Sequence, residues 1–202
     1  MKKITSVLAL FAVLALFSTE SKAQTTFGHA GLDIGIPVGD WSDAYPFAVG
    51  GSGGIELGLS DKLAITATGG ISFFGLDDEV SDFIASAWML PLQAGARFYL
   101  DEQRSGLFIG VHAGVHILGV RSEDFEFGGV TVEGESDTDT YLSVAPEVGF
   151  FLNDRLSLSL KYQLIFQPEE EITTEIPGFD PITTTVDAET LGYIGLKIAY
   201  NF

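Results

Sequence analysis

Residues 194–202 read Ile194-Gly195-Leu196-Lys197-Ile198-Ala199-Tyr200-Asn201-Phe202. Every second residue (Ile194, Leu196, Ile198, Tyr200, Phe202) is aliphatic or aromatic, and those between are small or polar. A strand turns successive side chains to opposite faces, so this segment has one apolar face and one polar face. The alternation runs through to the terminal Phe with no turn after it. A closing strand that lies against lipid needs an outer face of this kind.

The other end of the chain agrees with export. Lys2 and Lys3 precede an apolar run from Ile4 to Phe17, and Ser18 to Lys22 is polar. Ser21-Lys22-Ala23 places small residues where a signal peptidase cuts. Residues 1–23 are therefore expected to be a cleaved secretory signal for the Sec pathway. The alternative is an N-terminal membrane anchor, which needs about 20 apolar residues, more than this run holds. The chain has no Cys, so neither a lipidated cysteine nor a disulfide is expected. Residues 24–202 then form a single domain. Without residues 1–23 the chain keeps 7 of its 10 basic and 27 of its 28 acidic residues, a net charge near −20. Phosphate-binding surfaces are basic, so a nucleic-acid role is excluded.

Working inward from residue 194, the sequence divides into eight strand-length segments: 27–36, 48–60, 62–74, 86–100, 106–120, 139–152, 155–167 and 189–202. Short links follow the second, fourth and sixth: Ser60-Asp61-Lys62, Asp101 to Ser105, and Asn153-Asp154. Long ones follow the first, third, fifth and seventh: 37–47, 75–85, 121–138 and 168–188. This layout predicts an all-β fold, an eight-stranded antiparallel up-and-down transmembrane β-barrel with short periplasmic turns and long extracellular loops. An even strand count returns both termini to the turn end.

The strands carry the required alternation. The third puts Leu63, Ile65, Ala67, Ile71 and Phe73 on one face, and the seventh puts Leu156, Leu158, Leu160, Tyr162, Leu164 and Phe166 there. Aromatic residues gather at two levels, as the girdles of such barrels do. Phe27, Phe98, Phe108, Phe150, Tyr200 and Phe202 lie at the turn end; Trp41, Tyr45, Phe73, Phe74, Trp88, Tyr141 and Phe166 lie at the loop end. A soluble lipocalin-like barrel is the alternative. It would enclose apolar side chains and expose polar ones, whereas here the charged face would be the enclosed one.

The predicted inner face carries Asp33, Glu56 and Glu147 against Arg97, Lys161 and Lys197. Charges in a narrow, poorly solvated space must pair or be heavily penalised. These six are expected to form an ion-pair network that plugs the lumen. Eight strands enclose only their own side chains or one small ligand, so a continuous water-filled pore is not expected. Gln93, Gln163, His112 and His116 add to the polar lining. The two His are four apart on one strand face, ~13 Å at 3.3 Å per residue, too far to share a metal. Inward groups are small on strands one to three and bulky on strands four to eight. Large groups leaning across to fill the space is the expected result, and a small cavity beside strands one to three is the alternative. A hydrolase would need a nucleophile, a His and a carboxylate together. No nucleophile motif stands out, so no catalytic residue, cofactor or metal centre is expected.

Carboxylates crowd the long loops: Glu133, Glu135, Asp137 and Asp139 in the third, Glu169, Glu170 and Glu171 in the fourth. The plain reading is a solvated, hydrophilic face. Such clusters also suit Ca²⁺ or Mg²⁺, which would bridge the loops to anionic lipopolysaccharide. Asp137-Thr138-Asp139 lacks the rest of a calcium-loop pattern. Thr173, Thr174 and Thr183 to Thr185 suggest that the last two strands continue past the membrane as a hairpin.

Residues 31–41, Gly31-Leu32-Asp33-Ile34-Gly35-Ile36-Pro37-Val38-Gly39-Asp40-Trp41, and the closing segment 194–202 resemble small outer-membrane barrels of the OmpA/OmpX-like superfamily. Within it the chain most resembles the outer membrane protein beta-barrel domain, or porin-family, group, and the likeness spans the whole mature chain. The resemblance implies residence in the outer membrane of a Gram-negative-type envelope and contact with outer-membrane lipid and lipopolysaccharide. It also implies that the barrel-assembly machinery reads Ile194, Leu196, Ile198, Tyr200 and Phe202 as an assembly signal. The fold hosts adhesins, anchors, hydrophobic-solute channels and lipid A enzymes, so it does not fix function. The expected role is structural or surface-binding contact with an extracellular ligand. A narrow channel for small hydrophobic solutes is the first alternative, a lipid-modifying enzyme the second. No peptidoglycan-binding segment follows the barrel, so a cell-wall anchoring role is not expected.

Overall fold

The computed structural model describes residues 26–77, 84–102, 106–123, 125–127, 130–132, 134–174, 182–186 and 188–202, with the backbone alone for 125–127, 130–132, 170–174 and 182–186. The expected signal segment, 1–23, lies outside these residues. In chain order the elements are β1 (Thr26–Val38), α1 (Trp41–Ala44), β2 (Ala48–Gly58), β3 (Leu63–Phe74), β4 (Ile84–Tyr99), β5 (Leu107–Ser122), β6 (Phe125–Phe127), β7 (Val130–Val132), β8 (Ser136–Phe151), β9 (Leu156–Gln167), β10 (Glu170–Thr174), β11 (Ile182–Val186) and β12 (Glu189–Asn201).

Eight of these strands close one barrel in the order β1-β12-β9-β8-β5-β4-β3-β2, every neighbouring pair antiparallel. Closure removes all free sheet edges, which lipid would leave without hydrogen-bond partners. The seam is β1 against β12, with His29 opposite Asn201 and Asp33 opposite Lys197. It is tied at its end by Gly28 and Phe202, whose amides each donate to the other's carbonyl at 2.9 Å.

Alternation sets the two faces. Leu32 is 72% exposed and Leu142 69%, whereas Arg97 and Glu147 are 5% and 4% exposed. A water-soluble protein has the opposite distribution. The apolar outer band meets lipid and the polar set is enclosed. Two prolines interrupt the ladders because they have no N–H to donate. Pairing of β3 with β4 lapses between Gly69–Leu92 and Ser72–Met89, beside Pro91. Pairing of β8 with β9 lapses between Val144–Leu164 and Glu147–Lys161, beside Pro146.

Several expectations need correction. The third long loop is shorter than 121–138, since β5 and β8 stay paired out to Arg121 opposite Ser136. Asp137 is therefore a strand residue, like Asp139 after it. The remaining loop makes its own small hairpin, β6 with β7. The Thr-rich segment pairs as β10 with β11, Thr173 opposite Thr183. The aromatic girdles are thinner than the sequence suggests. Phe108 is 1% exposed and points inward, and Trp41, Phe74 and Tyr141 pack against the buried cluster at the barrel mouth.

Candidate functional site

The enclosed side chains form layers, ordered here along β4 from the turn end. The first is apolar: Tyr99, Phe108 and Ala64 with Phe151 against them. Ring centroids lie 5.6 Å apart for Tyr99–Phe108 and 6.0 Å for Phe108–Phe151. These residues are inward because they hold the inward register at the strand ends nearest the short turns.

The second layer is ionic and centres on Arg97. Its Nε and Nη2 donate to the two oxygens of Glu147, each at 2.9 Å, and its Nη1 donates to Glu56 at 3.1 Å. The planar guanidinium matches a carboxylate with two parallel bonds, a geometry lysine cannot reproduce. Tyr99 donates its hydroxyl to the other Glu56 oxygen at 2.7 Å. His112 Nε2 lies 2.8 Å from Glu147 Oε2. A carboxylate only accepts, so that nitrogen carries the proton. Arg97 also lies 4.7 Å above the centroid of the Phe108 ring, in cation–π range. The Arg97 and Glu56 side chains are 6% and 5% exposed, those of Glu147 and His112 0%. Little of this layer is open to solvent.

Thr66 Oγ1 lies 3.4 Å from His112 Nδ1, which puts a hydroxyl, an imidazole and a carboxylate in sequence. Thr66 is 4% exposed, and Glu147 is already clamped by Arg97.

The third layer is polar. Gln93 donates to Gln163 at 3.0 Å and to Ser143 at 3.2 Å. Beside it, toward β1, β2 and β3, lies a cavity of about 40 Å³ lined by Asp33, Ser52, Gly70, Lys161, Gln163 and Lys197 among others. A polar cavity of that size has room for about three waters. Large groups do lean across, since the Tyr193 ring lies 3.0 Å from where a Gly35 Cβ would stand, but they leave this space. Both sequence alternatives are thus partly realised.

The six-member ion-pair network does not form as expected. Lys161 stands opposite Glu147 and Lys197 opposite Asp33. Of the charged side chains on the inner face, however, those joined by ion pairs in the described structure are Arg97, Glu56, Glu147 and His112. Arg97 and His112 occupy the Glu147 oxygens, and Asp33 accepts a hydrogen bond from Ser52. The two lysines line the cavity instead. His116 is fully buried and neither ring nitrogen has a partner among the described residues. Its ring meets Tyr193 edge-on at 6.4 Å.

The fourth layer is apolar again: Met89, Ile165, Leu191 and Tyr193, with Trp41, Phe74, Leu118 and Tyr141 packed on it. Above it opens a vestibule of about 260 Å³ at the loop end. Gly39, at φ 79°, turns the chain so that α1 folds over the mouth. Trp41, Tyr45 and Phe74 form one wall, with centroids 5.1 Å apart for Trp41–Phe74 and 5.2 Å for Tyr45–Phe74. Burial pushes the Tyr45 phenol up from its ordinary pKa, so it stays neutral. Asp137, Asp139, Tyr141 and Gln167 belong to the rest of the lining.

The model of the outer membrane protein beta-barrel domain matches residues 9–202. The chain belongs to this family. Solved outer-membrane barrels share its fold. The attachment invasion locus protein Ail of Yersinia pestis superposes with a TM-score of 0.54 at 13% identity, over 88% of this chain and 97% of that one. Ail in complex with the heparin analogue sucrose octasulfate gives 0.56 at 13%, over 89% and 99%. A major outer membrane protein of Thermus thermophilus gives 0.53 at 13%, over 88% and 100%. Identity this low carries the fold alone. No curated protein matches at a significant level.

Membership of this family makes the chain an outer-membrane protein, and the apolar outer band fits that place. Ile194, Leu196, Ile198, Tyr200 and Phe202, the residues expected to serve as an assembly signal, are all exposed on that band. Of the acidic loop residues, Glu135 and Glu169 are exposed, Glu133 lies outside the described residues, and Glu170 and Glu171 are described by backbone only. Among the described residues, no three His, Cys, Asp or Glu side chains converge as a metal site would need. The vestibule was not legible in the sequence. Its signal was the inward register of Asp137, Asp139 and Tyr141, of which the loop assignment 121–138 concealed the first.

Proposed function

We propose that this protein acts by binding at its outward end, with a sealed lumen beneath, rather than by conduction or catalysis. The observation that carries this reading is the stack inside the barrel: an apolar layer, the dry Arg97–Glu56–Glu147–His112 layer, and a second apolar layer under the vestibule. Apolar constrictions exclude water and ions, and two of them bracket a layer whose charges satisfy one another. The ligand-accessible surface is then the vestibule and the loops. Ail binds the polyanion sucrose octasulfate; the acidic outward end of this chain favours ligands of the opposite charge.

We further infer that residues 1–23 direct Sec export and are removed, and that the assembly machinery reads the alternating residues of β12. The channel reading has one supporting feature. An apolar hollow of about 330 Å³ lies at the β8–β9 lapse, lined by Pro146, Val148, Leu160, Tyr162 and Ile194, with Glu147 and Lys161. Behind it Glu147 is locked to Arg97, so the binding reading is preferred.

The test is single-channel recording of the refolded protein in a planar bilayer. Wild type is expected to be silent. A Tyr99→Ala/Met89→Ala double variant, thinning both apolar layers, is expected to flicker and so to prove insertion. Steady wild-type conductance would overturn the sealed lumen.

A further inference from the structure

We propose that the vestibule is a binding site for a small organic cation, an alkyl- or arylammonium with an apolar body. The inference rests on the reading that the outward end binds, and names the ligand class. The site is concave and about 260 Å³, just below the roughly 300–1,000 Å³ of drug-sized ligand pockets. One wall is aromatic, with Trp41, Tyr45 and Phe74 in mutual contact. Aromatic faces carry the negative end of a quadrupole and attract ammonium groups. On the remaining lining stand Asp137 and Asp139, two apart on β8 and so on one face, roughly 6.6 Å along the strand. Both are exposed, and Asp137 Oδ1 accepts a hydrogen bond from the Thr138 amide at 2.8 Å.

Charge around the mouth selects in the same direction. The described residues of segments 39–47, 75–77, 121–139 and 168–189 include twelve acidic residues and a single basic one, Arg121. Such a field concentrates cations at the opening and repels anions. A neutral apolar solute would satisfy the rings but use neither carboxylate. A bare divalent ion would lack ligands, since no three candidate donors converge among the described residues. An ammonium group on an apolar body uses both walls together.

The experiment is calorimetric titration of the refolded barrel, in a nonionic detergent free of ammonium headgroups, with benzyltrimethylammonium. Benzyl alcohol is the neutral control and Mg²⁺ the competitor. Saturable one-to-one binding is expected. It should weaken at least tenfold in an Asp137→Asn/Asp139→Asn variant and, separately, in Trp41→Ala, with each variant first shown to be folded by its heat-modifiable gel mobility. Absence of saturable binding, equal binding of benzyl alcohol, or full displacement by Mg²⁺ would overturn the proposal. Indifference to both variants would overturn it as well. A silent bilayer with no cation binding sinks this site alone. Cation binding with steady conductance keeps the site and sinks the sealed lumen.

Discussion

At the scale of single residues, the contrast between Arg97 and Lys161 is the sharpest. Both are inward cations near Glu147, and alternation along the strand treats them alike. Only Arg97 reaches the carboxylate, because its fork delivers two parallel bonds and a third to Glu56. Arg97→Ala strips the cation from two buried carboxylates and is expected to cost about 3–5 kcal/mol. Lys161→Met removes a charge that makes no ion pair within the described chain, and replaces it with an apolar stem of similar length. Its expected effect is neutral or stabilising, as when a buried charge gives way to an apolar group of similar volume. Urea midpoints of the refolded barrel in micelles measure both, and equal losses would restore Lys161 to the network. The sequence placed all six charged residues on the correct face. It could not say which cation meets which carboxylate, because that depends on side-chain reach across the lumen and on competition for the same oxygens.

At the scale of elements, strand number, order and facing were legible because period-2 alternation is a local property. Strand ends at the loop side were not. Beyond the lipid boundary no apolar face is required, so β5 and β8 run on as polar, paired strands and the alternation signal fades while the ladder continues. That is how Asp137 came to look like a loop residue. The same reasoning makes the β10–β11 hairpin separable from the barrel. Gln167 stands opposite Glu189 in the β9–β12 ladder, so closure between these strands is complete before the hairpin begins. Replacing 168–188 with an Asn-Gly turn suits two directly opposed residues and shortens the loop to be closed. The shortened barrel is expected to fold in detergent with a urea midpoint no lower than wild type. Failure to fold would mean that β10 and β11 are needed to bring β9 and β12 together.

At the scale of the whole molecule, the usual distribution of polar and apolar side chains is inverted. The enclosed set includes Glu56, Arg97, Glu147, Lys197 and all three His, while Leu32, Ile36, Leu142, Ile198 and Phe202 stand more than about 36% exposed, the last at 73%. Soluble monomers do not present an apolar belt of that extent, since patches much beyond a few hundred Å² drive association. Lipid or detergent must cover it. All eight barrel strands are paired on both sides, so there is no edge at which unravelling begins, and opening must break a complete ladder at once. The closed barrel is therefore expected to persist in dodecyl sulfate until heated, so that unboiled and boiled samples migrate at different positions on a gel. Without detergent the protein is expected to aggregate. A chain that stays monomeric in plain buffer, with one gel position before and after boiling, would reverse the assignment of inside and outside, and with it the sealed lumen and the outward vestibule.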